Sequence, residues 1–497
     1  MEKLLRRLFL VLFVLLLVAG CASKEETKIY ENIEELNGQK MGCMSGSIFD
    51  QLIAEKFKDS EIVYFGSRSE LILGLTSGKI DGFISDEPVA MMMVKQNSAV
   101  KYLPEDVGEV KYGICFSDDA NDKLVQFNQY LTSITTNGHL KELQEKWINI
   151  DGASQKKVEL ELTGENGVLR CVTTPDAAPF SFMSENVFQG YEVELLNEFA
   201  HEYGYTLEIS TVNFDALLTS IAMNKYDIAF NGIYITPERE KSVDFCNSTY
   251  TGKDVVMVRS GDIVTEDKDI ITSIKESFYR NFIEENRFLL LLRGVLITLN
   301  ISVVSIGAGS MFGLLLYVLS KENSALKSVI DNVQRIMAKL PAVVILMLLF
   351  YVVFNDSSIA ASVVSILGFS FMFGHTVYGL INAGDASVDY GQKEAAKALG
   401  YGQWLSFFHI IMPQILKIIR ESYIREVISL IKNTSIVGYV SVNDVTRSSD
   451  IIRGRTYDAL FPLIVVALLY YFLCTVLVDL IKIPLDAYIN KKVKYHD

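Results

Sequence analysis

Five His and six Cys are spread over 497 residues with no C-x-x-C or H-E-x-x-H spacing. Neither a zinc site nor a disulfide scaffold is therefore expected. No G-x-x-x-x-G-K-[ST] segment occurs, so the chain cannot hydrolyse ATP alone, and no nucleophile–base constellation stands out. The groups that could do chemistry sit in other surroundings. Cys21 directly follows an uncharged apolar run. The segment 392–404 is rich in Lys, Glu and Ala. Lys417, Arg420, Glu421, Arg425, Glu426 and Lys432 interrupt an otherwise apolar stretch. Residues 28–262 hold 37 Asp+Glu against 20 Lys+Arg, a charge of −17 within a chain of −14. Such an acidic part argues against nucleic-acid binding. Hydrophobic residues make up 50%, charged residues 21%, and mean hydropathy is +0.25, which fits an acidic soluble head joined to an apolar membrane part.

The elements that hold these groups begin with Lys3, Arg6 and Arg7 before the uncharged stretch 8–20. Thirteen residues are too short for a span, which takes about 20. Val18-Ala19-Gly20-Cys21 resembles a bacterial lipobox, with cleavage before Cys21 and lipid attachment to its sulfur; an ordinary signal peptide is the competing reading. Residues 1–20 are then a lipoprotein signal peptide and 21–30 an anchored linker. Five spans are expected at 294–320, 340–355, 357–384, 408–436 and 459–478. The fourth carries the six interrupting charges, which a helix lining a pathway tolerates and a lipid-facing one does not. An outside start places Lys321, Lys327, Lys393, Lys397 and the tail lysines 491, 492 and 494 inside, as the positive-inside tendency requires. The membrane domain is placed at 289–488, after a linker at 263–288, with a basic cytoplasmic tail at 489–497.

Glu394, Ala395, Ala396 and Gly400, followed by Ile411-Met412-Pro413, resemble the EAA loop of ABC importer permeases. The resemblance implies a cytoplasmic helix–turn–helix that docks on a separate ATP-binding subunit. Alanines permit close approach, Glu394 offers a polar handle, and Gly400 ends the helix. Leu430-Ile-Lys-Asn-Thr-Ser435 resembles the polar-amino-acid subgroup of these permeases and sets Lys432 near the translocation path; snorkelling to an interface is its alternative.

The head alternates strand and helix in two regions, 39–115 and 168–259. The phrases Leu71-to-Asp81 (LILGLTSGKID) and Leu217-to-Asp227 (LLTSIAMNKYD) both read as a helix, a Lys-x-Asp turn and entry to a buried strand. Two such lobes imply a ligand cleft between them. Ala178-Pro-Phe-Ser-Phe182, Gly190-Tyr-Glu-Val-Glu194, Asn231-to-Arg239 and Val243-to-Tyr250 resemble the first lobe of the extracellular solute-binding proteins of amino-acid ABC importers. Gly42-to-Ser47, Gly82-to-Pro88, Tyr112-to-Phe116 and Glu145-Lys-Trp147 resemble the second. The second lobe (31–150) thus precedes the first (167–262), joined through 151–166. This order resembles a circular permutation in which the usual crossover is cut, leaving ends near 30 and 260.

That resemblance implies the site. Arg239 matches the carboxylate clamp, supported by Gly232, Tyr234 and Thr236. Asp86 matches the ammonium partner from the opposite lobe, Ser47 a carboxylate donor, and Phe214 a platform for the ligand side chain; Thr174 completes the set. Competing roles are a surface ion pair for Arg239 with Glu240 or Asp244, a helix N-cap for Asp86 before Pro88, and plain core for Phe214. The chain departs from the family at Tyr234 (usually Thr), Thr174 (often a carboxylate), Ala177 (commonly aromatic) and Met44 (often basic). Fewer charges about the side chain argue against a strongly cationic ligand. Cys43, Cys115, Cys171 and Cys246 are expected as buried thiols, with external disulfides as the alternative.

The whole reads as an α/β bilobed, periplasmic-binding-protein-like head in permuted order, followed by an all-α membrane domain. It is expected to act as a fused binding and permease subunit of a polar-amino-acid ABC importer. It needs a partner ATPase that uses ATP, a second permease copy as a homodimer, and an amino-acid ligand. It needs no cofactor, metal or nucleic acid of its own. Its place is the plasma membrane, as a multi-pass chain with a lipid-anchored external head. The rival is a ligand-gated ion channel of the glutamate-receptor type, but there the pore interrupts the two lobes, whereas here every span follows both.

Overall fold

The computed structural model describes residues 28–148, 162–184, 187–261, 270–355, 359–456, 458 and 460–493. The signal segment, Cys21 and most of the expected 151–166 linker lie outside the described residues. In chain order the head holds β1 (Lys40–Met44), α1 (Phe49–Lys56), β2 (Glu61–Phe65), α2 (Arg68–Thr76), β3 (Gly82–Asp86), α3 (Glu87–Gln96), β4 (Val100–Tyr102) and β5 (Gly108–Phe116). Next come α4 (Asn121–Thr136), α5 (His139–Trp147), β6 (Val168–Thr173), β7 (Asp176–Ala177), β8 (Ser181–Ser184) and β9 (Val187–Gln189). The head closes with α6 (Tyr191–Glu202), β10 (Thr206–Thr211), α7 (Phe214–Ala222), β11 (Ile228–Tyr234), β12 (Asp244–Phe245) and β13 (Tyr250–Arg259).

The main sheet runs β10-β6-β11-β5-β13-β3-β1-β2. The outer trios β10-β6-β11 and β3-β1-β2 are parallel within themselves. β3 and β11 are buried along their whole length, as inner strands of a two-sided sheet are. The central strands β5 and β13 are antiparallel to each other and pass from one trio to the other. β5 pairs with β13 over 108–112 and with β11 over 112–116; β13 pairs with β5 over 250–254 and with β3 over 254–258. Two strands crossing side by side form the hinge of a bilobed head.

The repeated phrase becomes a repeated contact. Gly78 (φ 78°) and Asn224 (φ 54°) take the left-handed turn after α2 and α7. The following acids then receive a backbone N–H near the start of a neighbouring strand: Lys40 N donates to Asp81 at 3.2 Å, and Arg170 N to Asp227 at 2.8 Å.

The division into lobes differs from the expected one. α4 and α5, placed by sequence with the first-written lobe, pack on α6 of the other. Tyr130 donates to Glu198 (2.9 Å), Lys146 pairs with Glu194 (2.6 Å), Trp147 Nε1 donates to Glu194 (2.5 Å), and Phe127 meets Phe199 edge-on. The chain crosses along β5 before these helices form, so α5 ends and β6 begins in the same lobe. Both crossing strands are present, and the break lies beyond β13. There Arg259 Nη2 donates to the Lys28 carbonyl (3.4 Å), and a Cβ at Gly261 would stand 3.0 Å from Ile29. Cys43, Cys115, Cys171 and Cys246 are free and buried.

The helical region comprises α8 (Ile270–Phe278), α9 (Phe288–Glu322), α10 (Ser324–Met337), α11 (Ala342–Leu348), α12 (Ala361–Ser387), α13 (Tyr390–Ala398), α14 (Gln403–Ser406), α15 (Met412–Asn433), α16 (Val445–Thr456) and α17 (Leu460–Val493). By length and composition, α9, α12 and α17 suffice to cross a membrane among the described residues. α10 and the 342–353 segment pass together as a pair bent by 110°. α15, the fourth expected span, is of another kind. Ile415, Ile419, Val427 and Leu430 bury one side in the core with α12 and α17, while Lys417, Glu421 and Arg425 recur every four residues on an exposed stripe. Arg420 is held by Asp486 of α17 at 2.6 Å.

Candidate functional site: a cleft in the head

Arg239 begins a short 3-10 turn after β11 and is 8% exposed. Its Nη1 donates to the Tyr234 carbonyl (3.1 Å), and its backbone N–H donates to Thr236 Oγ1 (3.3 Å). Its Nη2 reaches the Gly46 carbonyl of the opposite lobe (3.2 Å). Asp86 ends β3, buried at 4%. It is the N-cap residue of α3, with Pro88 in the first turn, but its side chain makes no cap bond and instead accepts from Tyr112 Oη (3.0 Å). The two groups answer the two charges of an α-amino acid. They come from different lobes, so only a closed cleft presents both.

Ser47, Asp86, Phe214, Gly232, Tyr234 and Arg239 line one cavity of about 20 Å³ between the lobes. The lobes touch around it: Phe49 meets Tyr234 edge-on at 5.7 Å, and Gln51 reaches Glu238 at 3.4 Å. Room for about one water means that the lobes must part to admit an amino acid. Ser47 Oγ donates to the Met44 carbonyl (2.7 Å). Thr236 stands behind Arg239 as its support. Thr174 bonds Asn231 (2.7 Å) and Asp176 (2.6 Å) and lines a second, larger cavity.

Three cleft groups had no role assigned from sequence. Arg68, at the start of α2, lines the small cavity. Asp254 faces Asp86 across the β3–β13 pair and accepts from Tyr234 Oη (2.5 Å). Burial, and then the charge of Asp86, push its carboxyl up to about 8. Glu192, fully buried at the start of α6, accepts from Gly232 N–H (2.8 Å), and burial raises it to about 8. An isolated acid inside the apolar run Lys253-Asp-Val-Val-Met-Val was a readable signal for Asp254; Arg68 had none.

The second cavity, about 420 Å³, lies between head and helical region. Met44 and Phe214 line both cavities, and α16 supplies Thr446, Arg447 and Asp450 to the larger one. α16 is buried across the mouth of the cleft and touches both lobes. Arg447 donates to Asn213 (2.7 Å) and to the Val212 carbonyl (2.5 Å), while Arg453 stands 3.8 Å from Glu70. Tyr226 and Ser441 (2.6 Å) and Thr211 and Asn443 (3.0 Å) add to the seam.

At the far end, Asp389 caps α13 by accepting from Gly391 N (2.6 Å). Gly400 (φ 84°) ends it: Tyr401 N donates to the Ala396 carbonyl (3.1 Å) and Gly400 N to that of Lys397 (3.0 Å), a Schellman turn. Ala396 packs inward, whereas Glu394 and Ala395 are exposed. Lys432 is exposed near the end of α15.

Residues 169–341 match the bacterial extracellular solute-binding proteins of family 3, and residues 306–491 match the inner membrane components of binding-protein-dependent transport systems. A putative glutamine transport system permease protein of Rickettsia typhi is 30% identical over 200 residues, 40% of this chain and 92% of that one. An arginine transport system permease protein of Bacillus subtilis is 31% identical over 217 residues, 42% and 94%. An arginine-binding extracellular protein of Bacillus subtilis is 30% identical over 98 residues, 20% and 38%.

Proposed function

The chain belongs to the inner membrane components of binding-protein-dependent transport systems, joined in one polypeptide to a family 3 solute-binding domain, and from that premise we propose that its head captures a polar amino acid and hands it directly to a membrane pathway. It is an ABC importer component, not an enzyme, and it works with an ATP-binding subunit. The observation that carries the reading is the facing of Arg239 and Asp86 from opposite lobes across one cavity, with a second cavity walled by α16 beside it.

Capture proceeds by lobe closure. The ligand carboxylate takes the place of the Gly46 carbonyl at Arg239, with Ser47 and the Gly232–Tyr234 backbone as further donors, and the ammonium meets Asp86. Phe214 packs on the side chain. When the lobes part, ligand passes by Met44 and Phe214 into the larger cavity. Because the head is covalently joined to the permease, the second encounter is intramolecular.

In this reading five segments of 289–488 cross the bilayer, and two copies form the pathway. The exposed stripe of α15 and Lys432 face that pathway. Glu394, Ala395, Ala396 and Gly400 present α13 to the ATPase, and Cys21 carries the lipid anchor. Proteoliposomes holding the full chain and its ATP-binding subunit test this. ATP-dependent uptake of a labelled amino acid, lost in Arg239→Ala, is the expected result. Ligand-evoked ionic current without ATP would establish a channel instead.

A further inference from the structure

Arg239 and Asp86 grip the two charges common to every α-amino acid and therefore cannot choose among side chains. Arg68 stands elsewhere in the same cavity and is 5% exposed. Its guanidinium carbon lies 6.0 Å from the Phe214 ring centroid, so it shares the aromatic wall assigned to the ligand side chain. Its Nη1 is 3.7 Å from Asp176 Oδ1, within ion-pair reach, yet has no hydrogen-bond partner among the described residues. Asp176 already accepts from Thr174 and lies outside the small cavity, on the side of α16, where a Cβ at Gly454 would stand 2.4 Å from the Asp176 Cβ. Asp176 thus flanks Arg68 on the side away from the small cavity that Arg68 lines, at a distance that leaves Nη1 without a hydrogen bond. A guanidinium only donates, and a buried N–H without an acceptor costs free energy until one arrives.

Resting on the amino-acid reading above, we propose that Arg68 is the specificity-determining residue for the ligand side chain. It receives a side-chain carboxylate or carbonyl oxygen, so the head takes acidic amino acids and their amides and rejects basic ones. A lysine or arginine side chain would bring a second cation to the guanidinium in a water-poor cleft, where like charges repel most strongly.

The test is calorimetric titration of the purified full chain in lipid nanodiscs with glutamate, glutamine, arginine, lysine and leucine. Glutamate or glutamine should bind at least about 100-fold more tightly than arginine or lysine, since a buried charged hydrogen bond gained and a charge repulsion avoided act together. Arg68→Gln should weaken the preferred ligand by about 30-fold, and Arg68→Lys should recover part of that loss. A loss confined to glutamate assigns the carboxylate; an equal loss for glutamine assigns the carbonyl. Thermal unfolding without ligand separates a lost contact from a lost fold. A wild-type preference for arginine, lysine or leucine, or a well-folded Arg68→Gln that keeps full affinity and selectivity, overturns the proposal while leaving the amino-acid reading intact. If no amino acid binds, that reading itself fails.

Discussion

The head cleft and the loop after α12 achieve recognition in opposite ways. The cleft gathers Ser47, Arg68, Asp86, Phe214, Tyr234 and Arg239 from six places in the chain and buries their charges. The loop is one contiguous turn that leaves Tyr390 71% and Leu399 76% exposed beside Glu394. Buried charges depend on each other, so a single truncation there strands a partner. Exposed groups depend on a surface this chain does not supply, so a change there leaves the chain itself intact. The two regions should therefore separate cleanly by experiment.

The largest effect belongs to the cleft. In the proposed site Arg239→Ala leaves the ligand carboxylate without its counterpart, and removing one side of a buried charge pair costs about 2–5 kcal/mol. Calorimetry on the full chain should show amino-acid affinity reduced by about 30-fold or more, while coupling to the ATPase in the absence of ligand is unchanged. Retained affinity would place the carboxylate elsewhere.

Next comes the response of the head to pH. Asp254 and Glu192 both have their carboxyls raised to about 8, against about 4 in an unfolded chain. Between pH 4 and 8 the folded head therefore holds protons that the unfolded chain has released, and stability falls as pH rises, by up to about 1.4 kcal/mol per pH unit for each full proton. Unfolding temperatures of the full chain should drop from pH 5.5 to pH 8, and Asp254→Asn should flatten part of that slope. A pH slope that Asp254→Asn leaves unchanged would show that Asp254 is ionised in the folded head.

The contrast also explains what was legible in the sequence. The loop could be read because its residues are neighbours: Glu394, Ala395, Ala396 and Gly400 lie within seven positions, and the Schellman turn needs only a glycine there. The Lys-x-Asp phrases were legible for the same reason, since Asp81 and Asp227 each repeat one local turn before reaching a neighbouring strand. The cleft was legible only where a family landmark marked it. Arg68 escaped because its meaning comes from Phe214 and Asp176, more than a hundred positions away. α4 and α5 were assigned to the wrong lobe because β5 carries the chain across the hinge before they form, and adjacency in sequence is not adjacency in space. The charges of α15 showed in the sequence, but their gathering on one stripe follows from the helical period and the core it packs against.

A smaller effect is expected in the loop. Glu394→Lys reverses an exposed charge on the surface proposed to meet the ATPase, and one such exposed contact is worth about 1 kcal/mol. Ligand-stimulated ATP hydrolysis by the reconstituted transporter should fall by about fivefold, with ligand affinity and unfolding temperature unchanged. A fall in ligand affinity would mean that the loop and the cleft are not separable.

The smallest effect comes from comparing two left-handed glycines. Gly232 (φ 63°) lies in the cleft, and a Cβ there would stand 2.8 Å from Phe180; Gly400 (φ 84°) lies in the loop, with nothing within 4 Å of such a Cβ. Gly232→Ala therefore meets both backbone strain and a clash with a buried ring, and should lower ligand affinity and unfolding temperature together. Gly400→Ala meets only the strain, about 1 kcal/mol. That strain acts on the last turn of α13 and should appear as a severalfold loss of ligand-stimulated ATP hydrolysis with binding unchanged. Gly400→Asn, which tolerates this conformation better, should fall between wild type and alanine. If Gly400→Asn and Gly400→Ala were equally impaired, the side chain rather than the turn would be what the ATPase rejects, and the loop would resemble the cleft in depending on close packing.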